Sequence, residues 1–255
     1  MLITILGTAT SQGIPVIGCD CAACTSVDPH DRRLRCSALI SDDEHNVVID
    51  VGPDFRQQML KAQVSQLDAV LLTHEHNDHI IGLDDLRPLI FKSKKPMKIY
   101  AEDRVLSEIK KRFEYAFEEH QYPGAPKFEL LSIEPGQVIT VGTIQMTAIR
   151  VYHGRLPILG FRMGKLAYLT DTKQIPDESL NHLANLDYVL MDALRDQEHH
   201  SHNTVEQAIQ LIHKLRPNKA GYLIHMSHLL GPVQKWSKGL PESIFAAYDG
   251  LQFEL

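Results

Sequence analysis

Short apolar runs recur along the chain and predict β-strands. The predicted strands cover residues 2–6, 37–40, 47–51, 69–72, 98–100, 143–151, 158–163, 166–169, 188–191 and 220–224. Between the second and third of these runs, the polar segment Asp42-Asp43-Glu44-His45-Asn46 predicts a turn. The strands of the first half therefore follow one another in hairpin style.

Helical patterns interleave with these strands, at residues 54–62, 103–117, 177–184 and 204–215. In the last of them Thr204 can cap the backbone, and Gln207 can complete a capping box. Strands mixed with helices in this order predict an α/β fold of the α+β type, with mixed sheets covered by helices. No repeat or linker interrupts the pattern, so we expect one domain over residues 1–255.

Composition narrows the functional class. With 255 residues, 44% of them hydrophobic, the chain can bury a substantial core. A net charge of −6 provides no general basic field for nucleic acid or an anionic membrane, although a local basic patch stays open. Neither a signal peptide nor a membrane span is predicted. Cys19, Cys21 and Cys24 are too close together for a disulfide framework, so we expect reduced thiols and a cytoplasmic protein.

The most informative motif is a run of polar residues after the predicted strand 69–72. It reads Thr73-His74-Glu75-His76-Asn77-Asp78-His79. Neutral imidazole and carboxylate are ligands that zinc and its first-row neighbours prefer. In an extended loop alternate side chains share a face, so His74 and His76 can reach one ion. Asp78 and His79 are offset and could serve a second ion; a polar loop without metal is the alternative.

Further ligands are needed to complete two coordination shells. His153, Asp171 and His225 each follow a strand-like run. Taken singly, they could be a strand-end histidine, a turn cap and a core histidine. Their common placement after strands favours one shared site, because loops at strand ends can converge.

These motifs, in this order, resemble the metallo-β-lactamase superfamily over nearly the whole chain. The resemblance includes Asp50 in Ile49-Asp50-Val51-Gly52, which would orient a ligand by hydrogen bonding. It implies an αββα sandwich of two mixed sheets flanked by helices, with the site at one edge. It also implies two divalent metal ions, zinc or manganese. One would be held by His74, His76 and His153, the other by Asp78, His79 and His225, with Asp171 bridging.

A second cluster lies in the loop 18–24, where Cys19, Cys21 and Cys24 have C-x-C-x2-C spacing. Three thiols are one ligand short of a tetrahedral zinc site, and His228, three residues after His225, could supply the fourth. Buried thiols or a redox pair are the alternatives. Cys36 has no partner in this scheme and is expected in the core.

The cysteine cluster and the stretch 7–15 resemble the PhnP-type phosphodiesterases. This branch carries a structural zinc beside the dinuclear site, and one member opens 5-phosphoribosyl 1,2-cyclic phosphate. The resemblance implies a metal-dependent phosphodiesterase for a small molecule. Two ions about 3.5–4 Å apart could bind a water between them and lower its pKa, so that a hydroxide attacks phosphorus.

The proton donor and the phosphate contacts are less closely defined by the sequence. His199, His200 and His202 precede the helix that begins near Thr204. The resemblance points to His199, but the additional histidines leave the choice open, and a solvated loop is the alternative. We assign catalytic roles to Asp78, His199 and His202.

Substrate contacts are predicted at Arg155 and His200. A guanidinium group two residues after His153 could clamp a phosphate. Arg155 could equally be a surface residue, with Arg162 and Arg195 as rivals for the role.

Other functions compete with this one. A tRNA-processing nuclease would need a basic RNA-binding surface, which the acidic balance disfavours. A lactonase or thioesterase is also open, since the same nucleophile attacks carbonyl groups. From another class, the chain could be a non-catalytic zinc-binding protein, although its complete ligand sets argue against that. We expect no nucleic-acid or membrane partner, and the sequence is compatible with a homodimer.

Overall fold

The computed structural model describes residues 1–255 and contains fourteen β-strands. The strands are β1 (Leu2–Gly7), β2 (Ser37–Ser41), β3 (Asn46–Ile49), β4 (Ala69–Leu71), β5 (Met97–Ala101), β6 (Phe128–Ser132), β7 (Val138–Val141), β8 (Ile144–His153), β9 (Leu156–Met163), β10 (Leu166–Leu169), β11 (Tyr188–Asp192), β12 (Ala220–Ile224), β13 (Ile244–Ala246) and β14 (Gln252–Glu254). The helices are α1 (Phe55–Lys61), α2 (Asn77–Ile80), α3 (Arg87–Ser93), α4 (Asp103–Arg112), α5 (Asp177–Leu180), α6 (Val205–Leu215) and α7 (Val233–Trp236). No helix has the length and apolarity required to cross a membrane.

The strands form two seven-stranded mixed sheets. The first has the order β14-β1-β2-β3-β4-β5-β6, and the second has the order β13-β12-β11-β10-β9-β8-β7. In the first sheet β3 to β6 run parallel, and in the second β10 to β13 do. Strands β7, β8 and β9 pair antiparallel, as hairpins do. The metallo-β-lactamase sandwich expected from the sequence is confirmed.

Three apolar layers hold the sandwich together. Between the sheets, side chains such as Ile5, Ile40 and Phe161 are completely buried. Cys36 also lies in this layer, as expected. A second layer packs the first sheet against α1, α3 and α4, and a third packs the second sheet against α6. Each sheet therefore buries both faces, which accounts for the nearly continuous apolar runs of its central strands.

Most predicted elements are found, with differences at their ends. The capping box of α6 is present. The Thr204 side chain accepts a hydrogen bond from the backbone N–H of Gln207, and the Gln207 side chain accepts one from the backbone N–H of Thr204. The helix predicted over 103–117 ends at Arg112, because Phe113 leaves the helical region with φ −114° and ψ 39°. Likewise, the helix predicted over 177–184 is a short α5 followed by a 3-10 turn. The sequence did not predict β6, β7, β13, β14, α2, α3 or α7.

The parallel strands of the two sheets bring the chemistry to one edge. Asp50 follows β3, His74 follows β4, Asp171 follows β10 and His225 follows β12. His153 is the last residue of β8. Because carboxyl ends of parallel strands lie on the same side of a sheet, residues far apart in sequence meet there.

Candidate dinuclear metal centre

The H-x-H-x-D-H segment is part loop and part helix. His74 is completely buried after β4, and its Nε2 lies 2.9 Å from Nδ1 of His76. His76 then precedes the four-residue α2, which contains Asp78 and His79. The sequence did not predict this helical turn, which places the ring of His79 beside that of His74, with centroids 4.3 Å apart. Nε2 of His79 lies 3.3 Å from Oδ2 of Asp78.

The second sheet supplies the remaining donors. Nε2 of His225 lies 3.3 Å from Oδ1 of Asp171, and Nε2 of His79 lies 3.2 Å from its Oδ2. Donor atoms within 4.8 Å of one another fall into groups: His74, His76 and His153; Asp78, His79 and His225; His74, His79 and Asp171. Asp171 therefore lies between two donor sets, where the sequence predicted a bridging ligand.

Divalent metal ions fit these residues, because polar contacts occupy one ring nitrogen of several histidines and leave the other nitrogen available as a ligand. Nδ1 of His74 contacts Thr73 Oγ1 at 2.9 Å, and Nδ1 of His153 contacts the Ser201 carbonyl oxygen at 3.0 Å. With Nδ1 engaged, Nε2 is left as the ligand atom. Nε2 of His79 and of His225 are buried without any hydrogen-bond partner. A buried orphan nitrogen is costly, and a metal ion would satisfy it.

Asp50 contacts the second donor set at His79. Its completely buried carboxylate lies 2.7 Å from Nδ1 of His79 and accepts hydrogen bonds from the backbone and hydroxyl of Thr73. Asp50, Asp171 and His225 all have left-handed backbones, with φ of 62°, 53° and 56°. Such conformations are uncommon for residues other than glycine and often occur at functional sites.

The electrostatics of the site also suit cations. Burial opposes ionisation of Asp171, but His225 and His79 outweigh it and hold its pKa well below the usual value. Burial alone would lower the pKa of His79, yet Asp171, Asp78 and Asp50 raise it well above normal. Burial lowers the pKa of His74, which keeps its ring neutral. Metal ions would take the place of the protons on His79 and His225, because ligating imidazoles must be unprotonated.

The cysteine loop forms a second, separate donor group. One ligand atom from each of Cys19, Cys21, Cys24 and His228 lies within 4.8 Å of the others. The sulfur atoms of Cys19 and Cys21 are each 3.3 Å from Nδ1 of His228. All four cysteines are free thiols. The loop that carries His225 thus also carries His228, and Met226 between them is hydrogen-bonded to Thr8 and Thr10 of the N-terminal segment.

A cavity of about 520 Å³ opens beside the first donor set. Its walls include His76 and His153 together with Arg155, Lys173 and His200. The structure thus brings both predicted substrate contacts, Arg155 and His200, to one pocket. Arg155 is exposed there, and its guanidinium has no carboxylate within salt-bridge distance, whereas Lys173 pairs with Glu198 at 2.6 Å.

The rival arginines are engaged elsewhere. Arg162 donates to the carbonyl oxygens of Gly164 and His182, and Arg195 donates to those of Gln197 and Glu198. Neither lines the cavity. The geometry therefore favours Arg155 over both.

The three histidines before α6 occupy different environments. His200 is exposed, His199 is half-buried, and His202 is buried beside His153, with ring centroids 4.5 Å apart. Burial, together with His202 and His200, lowers the pKa of His199 to about 4. Sequence reasoning missed Lys173 and Asp192. Asp192 is the last residue of β11, as His153 is of β8, and this strand-end placement is the signal that could have identified it.

The beta-lactamase superfamily domain model matches residues 45–226 of the chain. A crystal structure of a diphosphatase from the PhnP family is similar over 99% of this chain and 96% of that one, with a TM-score of 0.91 and 39% identity. The chain belongs to the metallo-β-lactamase superfamily, in its PhnP-type branch. The fold of this PhnP-type protein implies divalent metal use.

Other relatives carry different names. An octanoyltransferase from Porphyromonas gingivalis is 43% identical over 250 residues, which are 97% of this chain and 50% of that protein. Zn²⁺-bound PqqB from Methylobacterium extorquens has a TM-score of 0.81 at 20% identity, over the full length of both chains, and demonstrates the shared fold only. The PhnP-type chain spans about half the length of the curated relatives it matches first.

Proposed function

We propose that this PhnP-type protein hydrolyses a small phosphodiester or diphosphate. One candidate substrate is 5-phosphoribosyl 1,2-cyclic phosphate. The reaction would use two divalent metal ions, zinc or manganese. The observation that carries the proposal is the unpaired, exposed guanidinium of Arg155 in a cavity that His76 and His153 also line. A cationic group beside metal donors selects for an anionic reacting group, because phosphate oxygens accept the guanidinium fork in a bidentate way. The 39% identical diphosphatase of the PhnP family supports the same substrate chemistry.

In this proposal seven residues would bind the two ions, and Asp50 would position one of those residues. One ion would be held by His74, His76 and His153 and the other by Asp78, His79 and His225, with Asp171 as the shared ligand; the grouping of the donor atoms supports this division. When bound, the ions would activate water and neutralise charge on the phosphate oxygens. Asp50 keeps the proton of His79 on Nδ1, 2.7 Å from its carboxylate, so that Nε2 is free.

The cationic pocket then orients the substrate. Arg155 and His200 would bind the phosphate oxygens, and Lys173 would keep the wall positively charged. His199 would give a proton to the departing oxygen. It is half-buried, and its ring lies 4.4 Å from that of His200, which lines the cavity. Binding of an anionic phosphate would raise the pKa of His199 toward the range that this role needs.

A structural zinc ion at Cys19, Cys21, Cys24 and His228 completes the proposal. It would hold the loop after β12 in place, because that loop also carries His225. Sulfur-rich tetrahedral sites with no open position are typical of structural zinc.

Hydrolysis of carbonyl substrates is the competing function. The octanoyltransferase relative, of which this chain covers 50%, raises this alternative, because acyl transfer is chemistry at a carbonyl group. A substrate panel on the purified, metal-loaded protein decides between the two. We expect cyclic phosphates, linear phosphodiesters or diphosphates to be hydrolysed, and lactones and thioesters to be left intact; the opposite selectivity would overturn the proposal.

A further inference from the structure

His76 has the least support of the three donors proposed for the first ion. His74 is completely buried with its Nδ1 against Thr73, and Nδ1 of His153 contacts the carbonyl oxygen of Ser201. His76 is exposed, and its ring has one polar contact, with Nε2 of His74. The position of its ring therefore depends on how the chain on either side of it is held.

Arginines of α4 hold both neighbours of His76 in the chain. Arg104 forms an ion pair with Glu75, whose side chain is only 16% exposed. Arg112, the last residue of α4, donates from Nη1 to Oδ1 of Asn77 at 2.6 Å. The helix thus contacts the residue immediately before His76 and the residue immediately after it.

Arg104 also connects this segment to the second sheet. Its Nη2 donates to the carbonyl oxygen of Pro157 in β9 at 2.7 Å. Pro157 pairs with Tyr152 of β8, the residue before His153. A single planar guanidinium group therefore joins the loop that carries His76 to the hairpin that carries His153, and its rigid fork favours one separation between them.

We propose that Arg104 is a positioning residue of the metal centre, which acts through Glu75 to hold His76 at the separation from His153 that one ion requires. Arg112 supports the same loop from its other side. Glu75 and the Pro157 carbonyl oxygen engage the guanidinium group of Arg104, so it is not free to bind substrate. The inference rests on the dinuclear site of the proposed function and does not depend on the substrate.

Two effects of Arg104 on metal binding have opposite signs. Its positive charge disfavours a nearby cation, and its removal would leave the carboxylate of Glu75 uncompensated, so a purely electrostatic effect would strengthen metal binding. Its contacts hold His76 in place, and their loss would weaken metal binding. Groups that orient metal ligands typically contribute about 10- to 100-fold in affinity. The direction of the change therefore separates positioning from charge.

Competition with a chelator on zinc-loaded protein measures that direction without an activity readout. We expect Arg104→Met to release one ion of the dinuclear centre about tenfold more readily than wild type. Arg104→Lys keeps the charge but lacks the fork, so it should also release that ion more readily. The lysine variant serves as the test if the methionine variant does not fold.

The matched control is Arg150→Met. Arg150 also pairs with a carboxylate, that of Glu102 immediately before α4, and donates to a carbonyl oxygen of β9, that of Ile158. Neither of these partners is next to a metal donor in the chain. The control should therefore lose a comparable connection between α4 and the second sheet while it releases zinc like wild type.

A double-mutant cycle with Glu75→Ala tests whether Arg104 acts through Glu75. In the Glu75→Ala background, Arg104→Met should change zinc release by less than about twofold, because the contact that it removes is already absent. A change as large as in the wild-type background would overturn the route through Glu75.

The outcomes separate two failures. If wild type binds zinc only at the cysteine site, the proposed dinuclear function itself fails. If wild type binds two further ions, and the Arg104 variants release them as slowly as wild type or more slowly, only the positioning role of Arg104 is overturned.

Discussion

The substitution Asp50→Asn tests whether the Asp50 carboxylate fixes the ring proton of His79 on Nδ1 and so leaves Nε2 available to bind metal. Asn retains one oxygen, which can accept the Thr73 backbone N–H that now lies 2.9 Å from Oδ1. The other position becomes an amide donor facing Nδ1 of His79, where Oδ2 now lies 2.7 Å away. Two donors cannot face each other, so the ring proton of His79 would move to Nε2, the atom that must be free to bind metal.

The expected magnitude follows from that tautomer change. Loss of such a supporting group typically weakens metal affinity by about 10- to 100-fold, which corresponds to about 1.4–2.7 kcal/mol. Competition with a chelator measures the loss directly. The matched control is Asp249→Asn, because Asp249 is half-buried and likewise accepts from a backbone N–H, of Leu34, and from a hydroxyl, of Thr8, but contacts no histidine. Equal metal affinity in Asp50→Asn and wild type, or an equal loss in the Asp249 variant, would refute the reasoning.

Further substitutions test other parts of the account. Asp171→Ala should prevent loading of the metal pair in metal analysis, and retention of both ions with activity would reject its bridging role. His199→Ala should leave metal content intact but lower turnover by about 10²- to 10⁴-fold, and unchanged turnover would exclude it as proton donor. Cys21→Ser should remove one zinc ion and lower the melting temperature; an unchanged metal count would contradict the structural site. Burial raises the pKa of Asp249 from 3.8 to about 6, so its proton stabilises the folded protein below pH 4, and that contribution is lost as pH rises through 6. Asp249→Asn should remove this pH dependence, on the order of 3 kcal/mol, in urea unfolding at pH 4 and 7, and an equal difference from wild type at both pH values would contradict it.

The grouping of the candidate metal donors could be predicted because their residue types and positions are both unusual. The sequence places His74, His153, Asp171 and His225 at strand ends, and mixed sheets bring such ends to one edge. The H-x-H-x-D-H spacing then separates two donor sets. That the two donor sets converge depends on the topology of the two sheets. The residue pattern alone does not give this topology; the resemblance to a known superfamily implied it.

Other parts of the site could not be predicted, for physical reasons. The helix α2 has only four residues, too few for a periodic pattern. Strands β13 and β14 have three residues each and are stabilised by neighbours far away in sequence. Asp192 lies beside the rings of His202 and His225, which are 10 and 33 positions later in the chain, and this proximity exists only after folding.

The central claim is that the cavity beside the dinuclear centre selects a phosphate group. The most direct test is the hydrolysis rate of metal-loaded wild-type protein toward cyclic and linear phosphodiesters and diphosphates, compared with its rate toward thioesters and lactones. The account predicts turnover of at least one phosphate substrate, and a rise in its KM when Arg155 is replaced by alanine. Turnover confined to carbonyl substrates would contradict it.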